Sequence, residues 1–151
     1  MRRNPPLIPP PILAFGLLLL CSALTAALPL SPISIPGGRG VGVLLVILGF
    51  AAGYSGFSAF QKAHTPVGPG DEPTKLVING PYRITRNPMY LGLGLVLAGV
   101  FFLVKSPYFL VAPIAFFLLI NFYQIPFEEN LLTERFGRSY TEYCRRVRRW
   151  L

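Results

Sequence analysis

The chain has 151 residues, of which 52% are hydrophobic and only 13% are charged, and its formal net charge is +8. A soluble domain carries about 25% charged residues, so this composition argues against a soluble globular protein. The single histidine excludes a His-rich metal site, the two cysteines lack metal-ligand spacing, and no nucleic-acid-binding motif accompanies the positive charge. The predicted partners of the basic residues are therefore membrane lipids with anionic head groups, and neither a metal nor a nucleic acid is predicted.

Four uncharged apolar segments approach the length of about 20 residues that a membrane-spanning helix needs. They cover residues 11–28, 41–60, 88–104 and 107–127. The first segment, preceded by Arg2 and Arg3, also resembles a signal peptide, but its apolar run is longer than usual and a retained span is predicted. The sequence thus predicts an all-α integral membrane bundle of about four transmembrane helices, formed by a single domain over residues 1–151.

Local signals mark the ends and faces of these helices. The dipeptides Asn87-Pro88 and Ser106-Pro107 are each typical of an N-cap residue followed by proline at the first helical position. Only residues 105–106 separate the third and fourth segments, which predicts a tight helical hairpin. Gly49 and Gly53 predict a small-xxx-small face on the second helix, where a neighbouring helix packs closely.

The basic residues are distributed unevenly about the predicted spans. With the N-terminus in the cytoplasm, the loop 61–87 and the tail 128–151 are also cytoplasmic, and twelve of the fourteen Lys and Arg residues lie inside. Only Arg39 and Lys105 fall outside, in agreement with the positive-inside rule. The predicted location is a bacterial inner (plasma) membrane, with both termini in the cytoplasm.

The tail carries helical signals of its own. Ser139 and Glu142 have the S-x-x-E spacing of a capping box. Aromatic and apolar residues follow at helical spacing, and arginines cover much of the remaining surface: Tyr140, Tyr143, Val147 and Trp150, with Arg145, Arg146, Arg148 and Arg149. This pattern is typical of an amphipathic helix at a membrane interface, which serves either as a lipid anchor or as a carrier of catalytic arginines.

Two motifs carry the most information about function. The first is GPYRITRNPMYLGLG at residues 80–94, and the second is FEENLL at residues 127–132, followed by FGRSY at 136–140 and by Tyr143. Together, and in this order, they resemble the isoprenylcysteine carboxyl methyltransferase and phospholipid methyltransferase superfamily. The resemblance covers roughly residues 57–151 and implies a small membrane enzyme that uses S-adenosylmethionine.

The first motif offers a binding site for an anion, such as the carboxylate of this cofactor. Asn87 and Pro88 open a helix whose N-terminal N–H groups and dipole favour negative charge. Arg83 and Arg86 precede that helix at a distance from which either reaches a carboxylate or phosphate. The alternative is that both arginines only extend to lipid head groups.

The remaining candidates suit the cationic parts of the cofactor. Glu128 and Glu129 lie at the end of an apolar span, where a carboxylate is costly unless paired, and the cofactor ammonium is a natural partner. Tyr82 and Tyr90 can stack on adenine or face the sulfonium. The alternative for the acidic pair is a structural bridge to the tail arginines.

By the resemblance, Gly92 and Gly94 lie against the cofactor, although close helix packing explains them equally well. Arg86 and Glu129 are the predicted catalytic residues, because they stand in the two motifs that occur together. His64, in the loop, is not predicted to act as a base.

The lack of an obvious general base favours an acceptor that is already ionised. The predicted acceptor is lipid-soluble or lipid-anchored and enters between the helices, beside Tyr90 and Phe127. A prenylcysteine-type carboxylate comes first, then a phospholipid amine, then a thiol.

The competing classes of protein are a non-enzymatic membrane protein, such as a transporter subunit, and an inactive relative of the enzymes. Transporters usually place an ionisable residue within a span, and the first two spans contain none.

Overall fold

The computed structural model describes residues 8–66 and 73–151, and this part of the chain is helical with no strand. Its α-helices are α1 (Pro10–Ala27), α2 (Gly38–Ala63), α3 (Pro88–Val104), α4 (Val111–Leu119), α5 (Ile125–Phe136) and α6 (Arg138–Arg146). A 3-10 turn over Pro107–Leu110 leads into α4, and a π-helical turn over Ile120–Gln124 joins α4 to α5. The predicted all-α class is confirmed. Arg2, Arg3 and residues 67–72 of the predicted cytoplasmic loop lie outside the described residues.

Three helical stretches are long and apolar enough to cross a membrane: Pro10–Ala27, Gly38–Ala63 and the continuous stretch Pro107–Phe136. The fourth apolar helix, α3, has 17 residues, which is the lower limit for a span. Large apolar side chains such as Phe15, Leu44 and Phe122 are exposed on these helices. An apolar surface of this extent identifies an integral membrane protein, because lipid rather than water covers it.

The two connections at one end of the bundle are joined to each other. Lys105 ends α3 in the left-handed conformation, and its carbonyl accepts a hydrogen bond of 2.8 Å from the backbone N–H of Ile33 in the α1–α2 connection. Asn87 and Ser106 occupy the predicted N-cap positions, but neither side chain caps its helix. The Ser106 hydroxyl instead lies 2.9 Å from that of Thr25 on α1. The polar loop and the tail lie at the opposite end.

Glycines allow α2 to pack along α3 with the two backbones in contact. A Cβ atom added to Gly49 would lie 2.6 Å from the carbonyl oxygen of Gly92, and one added to Gly92 would lie 2.6 Å from the nitrogen of Gly53. Seven residues away on each helix, Gly42 meets Gly99 in the same way. The predicted close-packing face at Gly49 and Gly53 is confirmed, and its partner is α3.

We expect Gly49→Ala to lower the free energy of unfolding by about 1–3 kcal/mol, the range for overpacking a tight contact. The new methyl group meets backbone atoms, so the helices must separate. Gly16→Ala on α1 is the matched control, because no atom lies within 4 Å of its added Cβ. Thermal unfolding of the purified protein in detergent measures both, and equal midpoints for the two variants would contradict the close packing.

Candidate active site

A cavity of about 130 Å³ opens between the loop before α3, the first turn of α3, α5 and α6. Six of the predicted site residues line it: Tyr82, Arg86, Asn87, Tyr90, Glu128 and Glu129. Residues from the two sequence motifs, about 40 positions apart, therefore meet in one place. The cavity lies where α2 ends and α3 begins, so it borders the membrane-spanning part of the chain.

The loop before α3 is fixed by a buried tyrosine. A 3-10 turn over Gly80–Arg83 begins with Gly80 at φ 63°, a conformation that suits glycine. It buries Tyr82, whose ring lies 5.4 Å from that of Phe60 on α2. The hydroxyl of Tyr143 on α6 donates a hydrogen bond of 2.7 Å to the Tyr82 carbonyl. Burial raises the pKa of Tyr82 well above its ordinary value, so its hydroxyl stays protonated.

Glu129 on α5 is held between two arginines. Arg149 binds it through both ends of its guanidinium fork, with Nη2 2.6 Å from Oε2 and Nε 3.2 Å from Oε1. Arg86 places Nη1 3.2 Å from Oε1. Charge-assisted, bidentate pairs of this kind fix geometry as well as charge. Both carboxylate oxygens thus face protein cations, which matches the alternative that Glu129 bridges to the tail, and the cluster carries a net charge of about +1 at neutral pH.

Arg86 is the arginine of this cluster that lines the cavity. Its backbone N–H donates to the carbonyl of Arg148 at 3.0 Å, and its Nη1 also donates to the Cys144 thiol. Burial lowers the pKa of Arg86, but Glu129 and its other neighbours raise this pKa by more than burial lowers it. The net pKa is therefore above its ordinary value, and the guanidinium stays charged. Its buried Nε has no hydrogen-bond acceptor among the described residues. A buried donor without a protein partner is rare, and an ordered water, an ion or a catalytic role is the explanation to test.

Glu128 forms a second polar cluster, separate from the arginines. Its Oε1 accepts hydrogen bonds from the Tyr90 hydroxyl on α3 and from Gln124 Nε2, the latter at 2.6 Å. Gln124 is buried in the π-helical turn, an irregularity that is frequent at functional sites. Within the described part of the chain, Oε2 has no hydrogen-bond donor. The cavity therefore has a cationic wall at Arg86 and a carboxylate at Glu128.

The C-terminal residues hold the cationic wall in place. Thr85 Oγ1 and Asn87 Nδ2 each donate to the Arg149 carbonyl at 3.0 Å. Asn121 at the start of the π-helical turn accepts hydrogen bonds from Arg149 Nη1 at 3.3 Å and from Trp150 Nε1 at 3.1 Å. The tail is thus bound to the loop, to α5 and to the π-helical turn between α4 and α5. Sequence reasoning missed Asn121 and Gln124 as parts of the site, and it did not single out Arg149 among the tail arginines.

The aromatic face of the predicted interfacial helix packs against protein rather than lipid. Tyr140, Tyr143 and Val147 are buried with Tyr82, so this face of α6 covers the cavity. The predicted capping box is wrong. Gly137 precedes α6 without any side-chain cap, and Glu142 instead pairs with Arg138 at 3.0 Å.

Four predicted cofactor-binding residues do not line the cavity. Arg83 is exposed and donates to Asn79 at 3.3 Å. Pro88 is buried at the start of α3, Gly92 packs against α2, and Gly94 has open space where a side chain would be. Of the two glycines, only Gly92 has a role that the structure explains, which is close helix packing.

The described residues thus form a helical membrane protein with a cavity at the ends of its spans, lined by charged, polar and apolar side chains. The family model for phospholipid methyltransferase matches residues 39–139, and the chain belongs to this family. The predicted resemblance to membrane methyltransferases is confirmed.

The chain is also similar to curated proteins. Protein-S-isoprenylcysteine O-methyltransferase B of Arabidopsis thaliana is 38% identical over 80 residues, which cover 51% of this chain and 39% of the relative. A probable protein-S-isoprenylcysteine O-methyltransferase of Oryza sativa subsp. indica is 31% identical over 118 residues, which cover 71% and 57%. An uncharacterized protein of Haemophilus influenzae is 40% identical over 63 residues, which cover 42% of this chain and all of that protein. The chain spans 39–57% of the length of the plant relatives. No solved structure matches significantly.

Proposed function

We propose that this chain is an S-adenosylmethionine-dependent methyltransferase that acts on a lipid-like or lipid-anchored acceptor. The observation that carries this proposal is the pairing, in one cavity at the membrane edge, of a cationic wall at Arg86 with a carboxylate at Glu128. The cofactor is a zwitterion with an additional positive charge on sulfur. A cavity with both signs of charge and tyrosine side chains suits such a molecule.

The residues of the cationic wall fit the carboxylate end of the cofactor. Arg86 keeps its charge, and its buried Nε lacks an acceptor among the described residues. Because Arg149 compensates most of the Glu129 charge, Arg86 remains available to an anion. One N–H of the Asn87 side-chain amide is bound to the Arg149 carbonyl, which leaves its second N–H as a donor toward this anion.

Glu128 and the tyrosines fit the cationic parts of the cofactor. The carboxylate of Glu128 is oriented by Tyr90 and Gln124, and its second oxygen is free to accept a hydrogen bond within the described part of the chain. Tyr82 and Tyr90 place aromatic rings in the same cavity. The face of an aromatic ring attracts a cation although the ring itself carries no charge. Ligand pockets usually measure about 300–1,000 Å³, so cofactor binding requires this cavity of about 130 Å³ to widen.

The chemistry that the cofactor supplies is an electrophilic methyl group on a sulfonium. The chain supplies position and exclusion of water, because Tyr140 and Tyr143 close the cavity on the side of the tail. An acceptor carboxylate needs no base, so a prenylcysteine-type acid is the first choice, in line with the names of the plant relatives. A phospholipid amine is the second, since Glu128 is a carboxylate in the cavity that can accept its proton.

We expect transfer of a radiolabelled methyl group to a prenylcysteine analogue to exceed transfer to phosphatidylethanolamine and to a short thiol. The physical reason is that the acceptor head meets the cavity while its apolar tail stays in the bilayer. The assay compares the three acceptors at equal concentration in detergent. Methylation of the short thiol alone, with no gain from a longer apolar tail, would contradict a lipid-like acceptor.

We also propose that both termini lie in the cytoplasm of a bacterium, with the protein in the inner membrane. The loop and the tail are bound to each other at one end of the bundle, so they share one side of the membrane. Cysteine replacements at Lys75 and Arg148 should therefore be labelled from the cytoplasmic side and one at Arg39 from the outside. Labelling of the first two from opposite sides would contradict the proposed topology.

A further inference from the structure

The last residues of the chain carry a basic surface that the candidate active site does not use. Arg145, Arg146 and Arg148, here called the outer tail surface, are exposed, and none of them takes part in an ion pair within the described part of the chain. The opposite side of α6 is occupied, because Tyr140 and Tyr143 are buried beside the loop before α3. The outer tail surface is therefore the part of the tail that a further partner can reach.

Contacts of the tail place this surface at the level of the membrane edge. The ring centres of Trp150 and Phe117 on α4 are 5.1 Å apart, and Trp150 Nε1 lies 3.1 Å from Asn121 Oδ1, so Trp150 packs on the apolar span. The carbonyl of Arg148, two residues earlier, accepts the backbone N–H of Arg86, just before α3 begins. Tryptophan is enriched where a bilayer meets water, and an arginine next to it can extend its guanidinium to the lipid head groups.

We propose that the outer tail surface binds the head groups of anionic phospholipids, and that this contact strengthens cofactor binding at the candidate active site. The ligand class is a glycerophospholipid with a net negative head group, such as phosphatidylglycerol. The second part of the proposal rests on the proposed function, since it takes the cavity to bind S-adenosylmethionine.

Apolar side chains near the arginines favour a lipid over a soluble acidic partner. Ile84 and Leu151 are 68% and 71% exposed. Both lie close to Arg149 along the chain or across the loop, because Thr85, next to Ile84, donates a hydrogen bond of 3.0 Å to the Arg149 carbonyl. Lipid head groups and the adjoining acyl chains meet cations and apolar side chains together, whereas the phosphates of a nucleic acid or the carboxylates of an acidic protein match the arginines alone.

The tail backbone connects the outer tail surface to the candidate site over a single residue. Val147 is extended, with φ −124° and ψ 129°, and in extended backbone successive side chains point to opposite sides. Arg148 is therefore exposed, while Arg149 points inward and binds Glu129 at 2.6 Å. A head group that holds Arg148 thus also restrains Arg149, and the effect is reciprocal, because a coupling free energy between two sites acts equally in both directions.

Trp150, the only tryptophan of the chain, makes a direct test possible. Brominated acyl chains quench tryptophan fluorescence at short range, so Trp150 reports which lipids surround the tail. The full-length protein is placed in phosphatidylcholine vesicles that contain equal fractions of either brominated phosphatidylglycerol or brominated phosphatidylcholine. We expect an apparent association about fivefold stronger for phosphatidylglycerol, the effect of one arginine near an anionic surface. Equal quenching by the two lipids would overturn the proposal.

Variants separate the outer tail surface from positive charge in general. Arg148→Gln should lower the preference for phosphatidylglycerol, and glutamine at all three positions of the outer tail surface should abolish it. Arg39→Gln is the matched control, because it removes an exposed charge at the opposite end of the bundle, in the first turn of α2. A preference that survives the triple replacement, or that Arg39→Gln also abolishes, would contradict the proposal. Each protein is compared between two lipids, so a change in the intrinsic fluorescence of Trp150 cancels.

Inorganic phosphate distinguishes a lipid head group from a free anion. At constant ionic strength, replacement of chloride by phosphate should leave the preference for phosphatidylglycerol unchanged, since the bilayer holds the lipid at a high local concentration. Loss of the preference in phosphate alone would indicate a site for free phosphate and overturn the assignment to lipid.

The affinity for S-adenosylmethionine tests the coupling. We expect it to be about fivefold or more higher in vesicles with phosphatidylglycerol than in phosphatidylcholine alone, the lower end of typical couplings between sites. The triple variant should show no such difference, and equal affinities of the native protein in both membranes would contradict the coupling. Preferential quenching in a protein that binds no cofactor would support the lipid site and contradict the proposed function. Cofactor binding without preferential quenching would support the proposed function and overturn the lipid site.

Discussion

Replacing Glu129 by glutamine is expected to lower the affinity for S-adenosylmethionine about 10- to 100-fold. The carboxylate fixes Arg86 and Arg149 at 3.2 and 2.6 Å, and without its charge the two guanidiniums repel each other. The loss of a hydrogen bond to a charged group costs about 1.5–3 kcal/mol, and 1.4 kcal/mol is tenfold in affinity. The effect on the cofactor is therefore indirect and acts through the position of Arg86.

Glu134→Gln is the control for this variant. Glu134 lies on the same helix but is exposed and does not line the cavity. Combining Glu129→Gln with Arg149→Met should cost little more than the larger single change, because the two residues act as one unit. Undiminished affinity in Glu129→Gln, measured by calorimetry beside Glu134→Gln, would remove Glu129 from the site.

Replacing Glu128 by glutamine is expected to reduce the affinity for the cofactor by about tenfold or more, because it removes the anion of the second cluster. The loss should be equal for S-adenosylmethionine and for its demethylated product, since both carry the ammonium group. Tyr90→Phe should have a smaller effect, as it keeps the ring and the charge but removes one donor to Glu128. Unchanged affinity of Glu128→Gln for both compounds would contradict this role.

Much of the architecture could be predicted because it depends on local patterns. The uncharged segments are helical, and the two-residue turn at 105–106 lies where the sequence indicates it, between α3 and the 3-10 turn that leads into α4. The residues of the two motifs meet in one cavity, as expected from a resemblance that links them. The fourth apolar segment continues as a helix past Phe127 to Phe136, because no residue between them breaks it.

The contacts of the tail with the candidate site could not be predicted, because the sequence does not show which of several similar side chains points toward the cavity. The tail has arginines at 145, 146, 148 and 149, and only Arg149 reaches Glu129. The reason is that Val147 leaves α6 in an extended conformation, so successive side chains point to opposite sides. Val147 is buried, Arg148 is exposed and Arg149 turns in again. A pattern of helical spacing extended to Trp150 cannot show this change.

The surface that covers the aromatic residues of α6 could not be predicted for a related reason. Amphipathic spacing shows that Tyr140 and Tyr143 share a face, but it does not show whether lipid or protein covers that face. Here the loop before α3 covers it, through Tyr82. The sequence does carry a weak signal for Gln124. It stands four residues before Glu128, near the end of an apolar span, and polar side chains at this spacing share a helix face.

Calorimetric titration of the purified native protein with S-adenosylmethionine tests the central claim most directly. The claim is that the cavity between Arg86 and Glu128 binds this cofactor. We expect saturable binding of one molecule per chain, weakened in Glu128→Gln and in Glu129→Gln and retained in Glu134→Gln. The absence of binding by the native, folded protein would contradict the assignment of this site to methyl transfer.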